Sequence, residues 1–274
     1  MLRRLSFWLL LPLVLPQAVW VKRTALRFAA APGLNKDTIT STKITSSDTP
    51  NTSVKVKPKT LKLVGFGDSI IAGVGATDQK LGLVAQTAEA LARRTGWNMQ
   101  WHAIGEIGVD AKGLVKQLDA LQGANQFEQA DIILISIGVN DVTSLTPTQS
   151  WQAALEKVIQ HFSSRPSPPA IVFCGVPPMQ HFPLLPEPLK TALGLRARRL
   201  DSLLVKLTQT KPRCTHLPIT ISPEAELFSA DGYHPSDQGY RDFAERLSNH
   251  IFKSLPCLFS LFEESSPTST REIA

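Results

Sequence analysis

Apolar runs alternate with helical patterns through the middle of this chain. Five apolar runs predict strands, and the third of them is rich in isoleucine, as expected for a strand covered on both faces. The predicted strands are 61–66, 99–104, 131–137, 170–176 and 215–219. The predicted helices are 81–94, 111–121, 148–162, 188–209 and 236–253. This alternation predicts an α/β fold with a parallel five-stranded sheet, right-handed crossovers and helices on both faces.

The two ends of the chain differ in composition from this middle part. An apolar run from Leu5 to Val21, with basic pairs on both sides, predicts that residues 1–34 are a membrane anchor or a signal segment. A soluble protein with an apolar N-terminal helix is a third interpretation. Residues 35–58 are rich in Ser, Thr and Lys and predict a flexible linker, and residues 259–274 predict a polar tail. Residues 59–258 remain as one globular domain.

Composition and charge narrow the class of protein. Hydrophobic residues make up 43% of the 274 residues, enough for a core, and the net charge is +6. Basic residues cluster near the N-terminus, which favours a membrane surface as partner and a membrane-associated or exported protein, with a cytoplasmic one as the alternative. No basic stripe alternates with aromatic residues, so we expect no nucleic-acid partner. Cys174, Cys214 and Cys257 have neither a disulfide pattern nor metal-ligand spacing.

Residues that could take part in catalysis follow three of the predicted strands. Ser69 follows the first strand, Gly108 the second and Asn140 the third. Because the carboxyl ends of parallel strands meet at one edge of a sheet, we expect these three residues to lie close together.

A carboxylate and an imidazole three residues apart, Asp231 and His234, precede the last predicted helix. A serine hydroxyl is a weak nucleophile until a base takes its proton, and a carboxylate can fix the tautomer of that base. The residue types therefore indicate Ser69 as nucleophile, His234 as base and Asp231 as its orienting acid. Ser236 is positioned to cap the following helix.

The two glycine- and asparagine-containing segments supply donors for a developing oxyanion. We favour the Gly108 N–H and the Asn140 amide, with Gly105 as the alternative glycine. Each motif alone has a plainer interpretation, because such segments are also ordinary turns that cap helices. A dinucleotide-binding turn at 65–70 is a further alternative, but Ile70 stands where its third glycine is needed.

Taken together in this order, the motifs resemble those of the SGNH (GDSL-like) hydrolase superfamily. The four blocks are Gly67-Asp68-Ser69-Ile70, Gly108 within 107–110, Gly138-Val139-Asn140-Asp141 and Asp231-Gly232-Tyr233-His234-Pro235. The resemblance implies a flavodoxin-like three-layer α/β/α sandwich and a serine esterase without a cofactor or metal. It also implies an oxyanion hole formed by Ser69, Gly108 and Asn140. The chain departs from the pattern at Ile70, where leucine is usual, and just ahead of Gly108, where a polar residue is often found.

The substrate is indicated only by a proline-rich apolar insert at 176–189, which follows the fourth predicted strand. Its apolar side chains are expected either to line an acyl pocket or to pack beneath the loop. These residues are Met179, Phe182, Leu184 and Leu185. With the N-terminal segment, the insert favours lipid-like esters. The alternatives are an esterase or acyltransferase acting on O-acetyl groups of cell-envelope glycan, and a ligand-binding protein without catalysis. No obligate protein partner is indicated.

Overall fold

The computed structural model describes residues 14–21, 23–24, 26–41, 59–121, 123–221 and 224–259. Six strands form one sheet in the order β1-β3-β2-β4-β5-β6. The strands are β1 (Lys36–Ile39), β2 (Thr60–Gly67), β3 (Asn98–Gly105), β4 (Ile132–Ser136), β5 (Ala170–Cys174) and β6 (Cys214–Leu217). The five predicted strands are all present and parallel to one another, and β1 adds an antiparallel strand beside β3.

Helices cover both faces of the sheet and complete a three-layer α/β/α sandwich. They are α1 (Leu83–Thr95), α2 (Ala111–Ala120), α3 (Val139–Thr143), α4 (Thr148–Ser163), α5 (Leu189–Gln209), α6 (Asp237–Ser254) and α7 (Pro256–Phe259). Strand β4 shows why helices are needed on both faces of the sheet. Ile133 and Ile135 pack into one core, while Ile132 and Leu134 pack into the other. The first core includes side chains of α2, α4 and α5, and the second includes those of α1 and α6.

The strand count differs from the predicted five because β1 lies in the segment predicted to be a linker. Residues 36–39 have little to bury, and they join the sheet through backbone pairing with residues 99–102 of β3. Residues 42–58 of the predicted linker lie outside the described residues. At the other end, Phe259 is buried against Trp97 and Phe252, while residues 260–274 of the predicted tail are not described.

Only part of the predicted membrane anchor or signal segment, residues 1–34, can be compared with the structure. Residues 1–13 lie outside the described residues, and residues 14–21 form a short helix that packs through Val14, Ala18 and Val21 on the first core. Within the part of the chain that the structure describes, no helix combines the length and apolar character needed to cross a bilayer.

Candidate active site

Ser69 lies in a tight turn directly after β2, at the carboxyl edge of the sheet. The turn is closed by backbone hydrogen bonds from Ala72 N to Asp68 O (3.0 Å) and from Val74 N to Ser69 O (3.0 Å). The buried Asp68 carboxylate accepts from Ile70 N and from the Ser136 hydroxyl, both at 3.1 Å, so it joins the turn to the end of β4. This arrangement holds Ser69 half-buried at the surface of the site.

His234 lies in a loop that is fastened to the residues before it. Ser229 N donates to His234 O (2.8 Å), and Gly232 N donates to Ser229 O (2.9 Å). Ser236 caps α6 as predicted, accepting a hydrogen bond from Gly239 N at 3.1 Å. The loop is therefore fixed both internally and by the helix that follows it.

Asp231, His234 and Ser69 form a continuous chain of hydrogen bonds. His234 Nδ1 lies 2.7 Å from Asp231 Oδ2, and His234 Nε2 lies 2.9 Å from Ser69 Oγ. With the proton on Nδ1, the imidazole presents an unprotonated Nε2 that can accept the proton of the serine hydroxyl. The structure thus brings Ser69 into contact with the Asp231 and His234 motif, which begins 162 positions further along the chain.

The charge of Asp231 is stabilised by several donors. Its other oxygen, Oδ1, accepts from the Ser229 hydroxyl (2.8 Å), Tyr233 N (2.8 Å) and His234 N (2.9 Å). Burial by itself would raise the pKa of Asp231, but hydrogen bonds from His234, Tyr233 and Ser229 outweigh it and lower the pKa to about 2. The carboxylate is therefore ionised throughout the neutral range and able to stabilise an imidazolium.

The predicted oxyanion donors follow the neighbouring strands. Asn140 lies in α3, directly beyond β4, and its Nδ2 donates to Val109 O at 2.8 Å. One amide N–H is thereby fixed, and the other has no hydrogen-bond partner among the described residues. Gly108 is exposed, has a φ of +80°, and has open space where a Cβ would project. Gly105 has another role, because a Cβ there would lie 2.2 Å from Ala72 N. Gly105 lets two turns pack closely, whereas Gly108 leaves its backbone accessible.

Two residues to which sequence analysis gave no role support Asn140: Arg196, which it did not single out, and Asp141, which it named only as part of the motif at 138–141. Arg196 of α5 donates through Nε to Val142 O (3.2 Å) and through Nη2 to Asp141 O (3.5 Å) and Thr146 O, so it caps the helix that carries Asn140. The buried Asp141 carboxylate accepts from Ala111 N at 3.0 Å and ties α3 to the start of α2. An arginine in the middle of a helix carries no sequence signal for this role.

An apolar cavity of about 120 Å³ adjoins Ser69 and His234. It extends between α6 and the segment after β6, and most of its walls are aliphatic or aromatic. Those walls include Ile137, Leu217, Ile219, Ile221, Leu227, Phe228 and Phe243. Of the four residues predicted to line an acyl pocket, Phe182 lines this cavity. The centroid of its ring lies 5.0 Å from the ring centroid of Tyr233.

The other three predicted pocket residues lie elsewhere. Met179 and Leu185 are buried in the first core, which is the packing role that the sequence left open. Leu184 is half-buried and its backbone N–H donates to Gly232 O at 3.1 Å, so it joins the insert to the His234 loop. Within the described ranges, no cluster of His, Cys, Asp or Glu side chains could hold a metal ion.

Substituting Asp141 with asparagine should make the protein more stable at neutral pH and less sensitive to pH. Burial raises the pKa of Asp141 to about 6, although the Ala111 N–H and the Thr146 hydroxyl act in the opposite direction. The folded state therefore binds a proton more tightly than the unfolded chain, so stability conferred by this group falls as the pH rises from about 4 to about 6. The expected loss is on the order of 2–3 kcal/mol, and asparagine, which does not ionise, avoids it.

Thermal unfolding followed by circular dichroism between pH 4 and pH 8 measures this effect as a difference in Tm between wild type and Asp141→Asn. The matched control is Glu156→Gln, which removes an exposed carboxylate from α4. Parallel Tm profiles for wild type and Asp141→Asn would contradict the prediction.

Comparisons with known proteins agree with this geometry. Residues 66–241 match the model of the GDSL-like lipase/acylhydrolase family. The chain is 29% identical over 198 residues to a GDSL-like esterase of Mycobacterium tuberculosis, and the match covers 69% of this chain and 61% of that relative. The chain thus spans less than two thirds of the length of that relative.

Two solved structures have a similar fold. One is the psychrotrophic esterase EstA of Pseudoalteromonas, with a TM-score of 0.57, 16% identity, and coverage of 71% of this chain and 98% of that one. The other is a family 3 carbohydrate esterase of Clostridium thermocellum, with a TM-score of 0.56, 17% identity, and coverage of 73% and 99%. At such identities the likeness concerns the fold alone. The family match spans more than half of the chain and contains both Ser69 and His234, so the chain belongs to the GDSL-like lipase/acylhydrolase family.

Proposed function

We propose that this protein is a serine esterase that hydrolyses carboxylic esters or thioesters through an acyl-enzyme. The observation that carries the proposal is the hydrogen-bonded chain from Asp231 through His234 to Ser69, with distances of 2.7 and 2.9 Å. Family membership supports it, as does the esterase named among the relatives.

In the proposed mechanism, Ser69 Oγ attacks the ester carbonyl while its proton passes to His234 Nε2. Asp231 holds Nδ1–H and stabilises the imidazolium that forms. His234 then gives the proton to the leaving alcohol or thiol, which breaks the ester bond and leaves the acyl group on Ser69. Water, activated by the same imidazole, releases the acid and restores the serine.

The negative charge of the tetrahedral intermediate requires donors that are already in position. We assign this role to the Ser69 N–H, the Gly108 N–H and the free N–H of the Asn140 amide. Asn140 supports the assignment because its contact with Val109 O fixes the amide plane before substrate arrives. A donor of this kind is worth about 10²–10³ in kcat.

We propose a lipid-like or other acyl ester as the substrate. The cavity beside Ser69 supports this choice, since an acyl chain placed among Ile137, Phe182 and Phe228 would leave water for an apolar surface. The apolar N-terminal segment also favours an ester met at a membrane or in the cell envelope.

The test combines hydrolysis of p-nitrophenyl acetate, butyrate and octanoate with labelling by an alkyl fluorophosphonate, using the full chain. We expect one phosphonyl group per protein, located at Ser69 by peptide mapping, and kcat/KM that rises with acyl length. A profile that falls beyond acetate would replace the lipid-like substrate with a short acyl group such as that of an acetylated glycan. A folded protein with neither hydrolysis nor an adduct would overturn the esterase and leave a ligand-binding protein.

A further inference from the structure

Exposed apolar side chains are concentrated at the N-terminal end of the described chain. Six of the seven large hydrophobic residues that the described ranges expose lie between residues 15 and 34, and the seventh is Ile107. Trp20 and Leu26 are each 58% exposed. Single exposed apolar residues are ordinary on protein surfaces, but a cluster in one segment indicates an interaction site. We call residues 14–21, 23–24 and 26–34 the strap.

The helical part of the strap is apolar on two sides. Val14, Ala18 and Val21 recur at helical spacing and pack on the body of the protein. Leu15, Val19 and Trp20 lie between them in sequence and are exposed. The inward contacts explain why the helix rests on the domain, but they do not explain the outward side chains. An apolar outer side of this kind is suited to contact with a second apolar surface.

Hydrogen bonds attach the strap to the body of the protein near both ends of the strap. The Gln17 side chain donates to Glu187 O (2.6 Å) and accepts from Leu189 N (3.1 Å), at the end of the insert that carries Phe182. Ala31 N donates to Ala72 O (3.2 Å), three residues beyond Ser69. The strap thus begins beside the insert at 176–189, called the cavity insert below, and ends beside the turn at 68–74 that holds Ser69, called the serine turn.

The charge of this region is strongly positive. Residues 1–36 contain six basic and no acidic residues, which equals the whole net charge of +6 of the chain. Arg23 and Arg27 are described, exposed and close in sequence to Trp20, Leu26 and Phe28. Aromatic and aliphatic side chains next to arginines match the boundary of an anionic bilayer, where the rings enter the acyl region and the guanidinium groups meet phosphates.

We propose that the strap docks the protein onto the surface of an anionic phospholipid membrane without crossing it. The outward side chains of the strap insert into the headgroup boundary, while its inner side chains stay on the domain. The serine turn and the cavity insert then lie next to the lipid, from which the site would take its ester. This last consequence rests on the proposed esterase function, whereas the docking itself does not.

Sedimentation of the full chain with vesicles tests the docking. Vesicles of phosphatidylcholine containing phosphatidylglycerol are compared with vesicles of phosphatidylcholine alone, at low and high salt. We expect binding to the anionic vesicles that weakens with salt. The pair Trp20→Ser with Phe28→Ser, and separately the pair Arg23→Gln with Arg27→Gln, should each lower the partition constant about tenfold or more.

The matched control is Lys206→Gln with Lys211→Gln, which removes the same charge from exposed positions in the last turn of α5 and in the segment that leads to β6, far along α5 from the Gln17 contact. Equal binding by this control and the arginine pair would overturn the proposal, as would wild type that does not bind anionic vesicles. Light scattering that shows a dimer dissociated by the Trp20 and Phe28 substitutions would assign the strap to a second copy instead. Hydrolysis of soluble p-nitrophenyl butyrate should be unchanged in every variant. Vesicle binding by a protein that hydrolyses no ester would leave the docking intact and contradict only the esterase.

Discussion

Replacing Ser69 with alanine should lower kcat for p-nitrophenyl esters by about 10⁶-fold, because the proposed acyl-enzyme forms on the Ser69 hydroxyl. The Ser69 hydroxyl is the group that His234 Nε2 contacts, at 2.9 Å. Since the two residues act as a unit, His234→Ala should cause a similar loss, and the double variant should be no slower than either single one. Residual hydrolysis would come from the oxyanion donors and substrate binding alone.

Initial rates at saturating ester measure this loss, with Tm recorded for each variant. Ser202→Ala is the matched control, since Ser202 is an exposed serine on α5 whose hydroxyl bonds only within that helix among the described residues. If folded Ser69→Ala kept more than about 1% of the wild-type rate, Ser69 would not be the nucleophile of the proposed mechanism.

Much of the site could be predicted because it depends on local patterns and one topological rule. Apolar runs predicted the five parallel strands, and parallel strands end at a common edge. The register pairs Gly67 with both Gly105 and Ser136, so the segments that follow β2, β3 and β4 leave the sheet at the same level. The contact between Asp231 and His234 could also be predicted, since their three-residue spacing lets the carboxylate reach the ring nitrogen that faces away from Ser69.

The sequence could not reveal which apolar residues form the cavity. Met179 and Phe182 belong to the same apolar insert and both are buried in the first core, yet of the two Phe182 also lines the cavity. The remaining walls come from segments after β6 and from α6, and Phe243 looks like any core residue of an amphipathic helix. Only the packing of distant segments decides between these roles.

The N-terminal run shows a similar ambiguity. An apolar stretch has the same hydropathy pattern whether it enters a bilayer or rests on a protein, so Leu5 to Val21 favoured an anchor. In the structure, the contacts of Val14 and Ala18 with the domain place residues 14–21 on the protein. Strand β1 was missed for the opposite reason, because its exposed, polar residues join the sheet by backbone hydrogen bonds that leave no hydrophobic pattern.

Asp231→Asn should lower kcat by about 10⁴-fold while changing KM little, because it favours the wrong tautomer of His234. Asp231 Oδ1 accepts three hydrogen bonds, from the Ser229 hydroxyl and from the N–H groups of Tyr233 and His234. Asparagine can satisfy those backbone donors only by placing its single amide oxygen there. Its NH₂ group would then face His234 Nδ1 and donate to it, so that Nε2 carries the proton and cannot accept one from Ser69.

The hydrogen bonds that direct the asparagine oxygen make this outcome specific to position 231. Asp37→Asn removes the same charge at the edge strand β1 and should leave kcat unchanged. Kinetics should be paired with nitrogen NMR of the imidazole, which should report the proton on Nδ1 in the wild type and on Nε2 in Asp231→Asn. A variant with full kcat would show that Asp231 is not needed to orient His234. A large loss of kcat with the proton still on Nδ1 would show instead that the lost charge, rather than the tautomer, limits the reaction. The wild type has that charge at neutral pH, because hydrogen bonds lower the pKa of Asp231 to about 2.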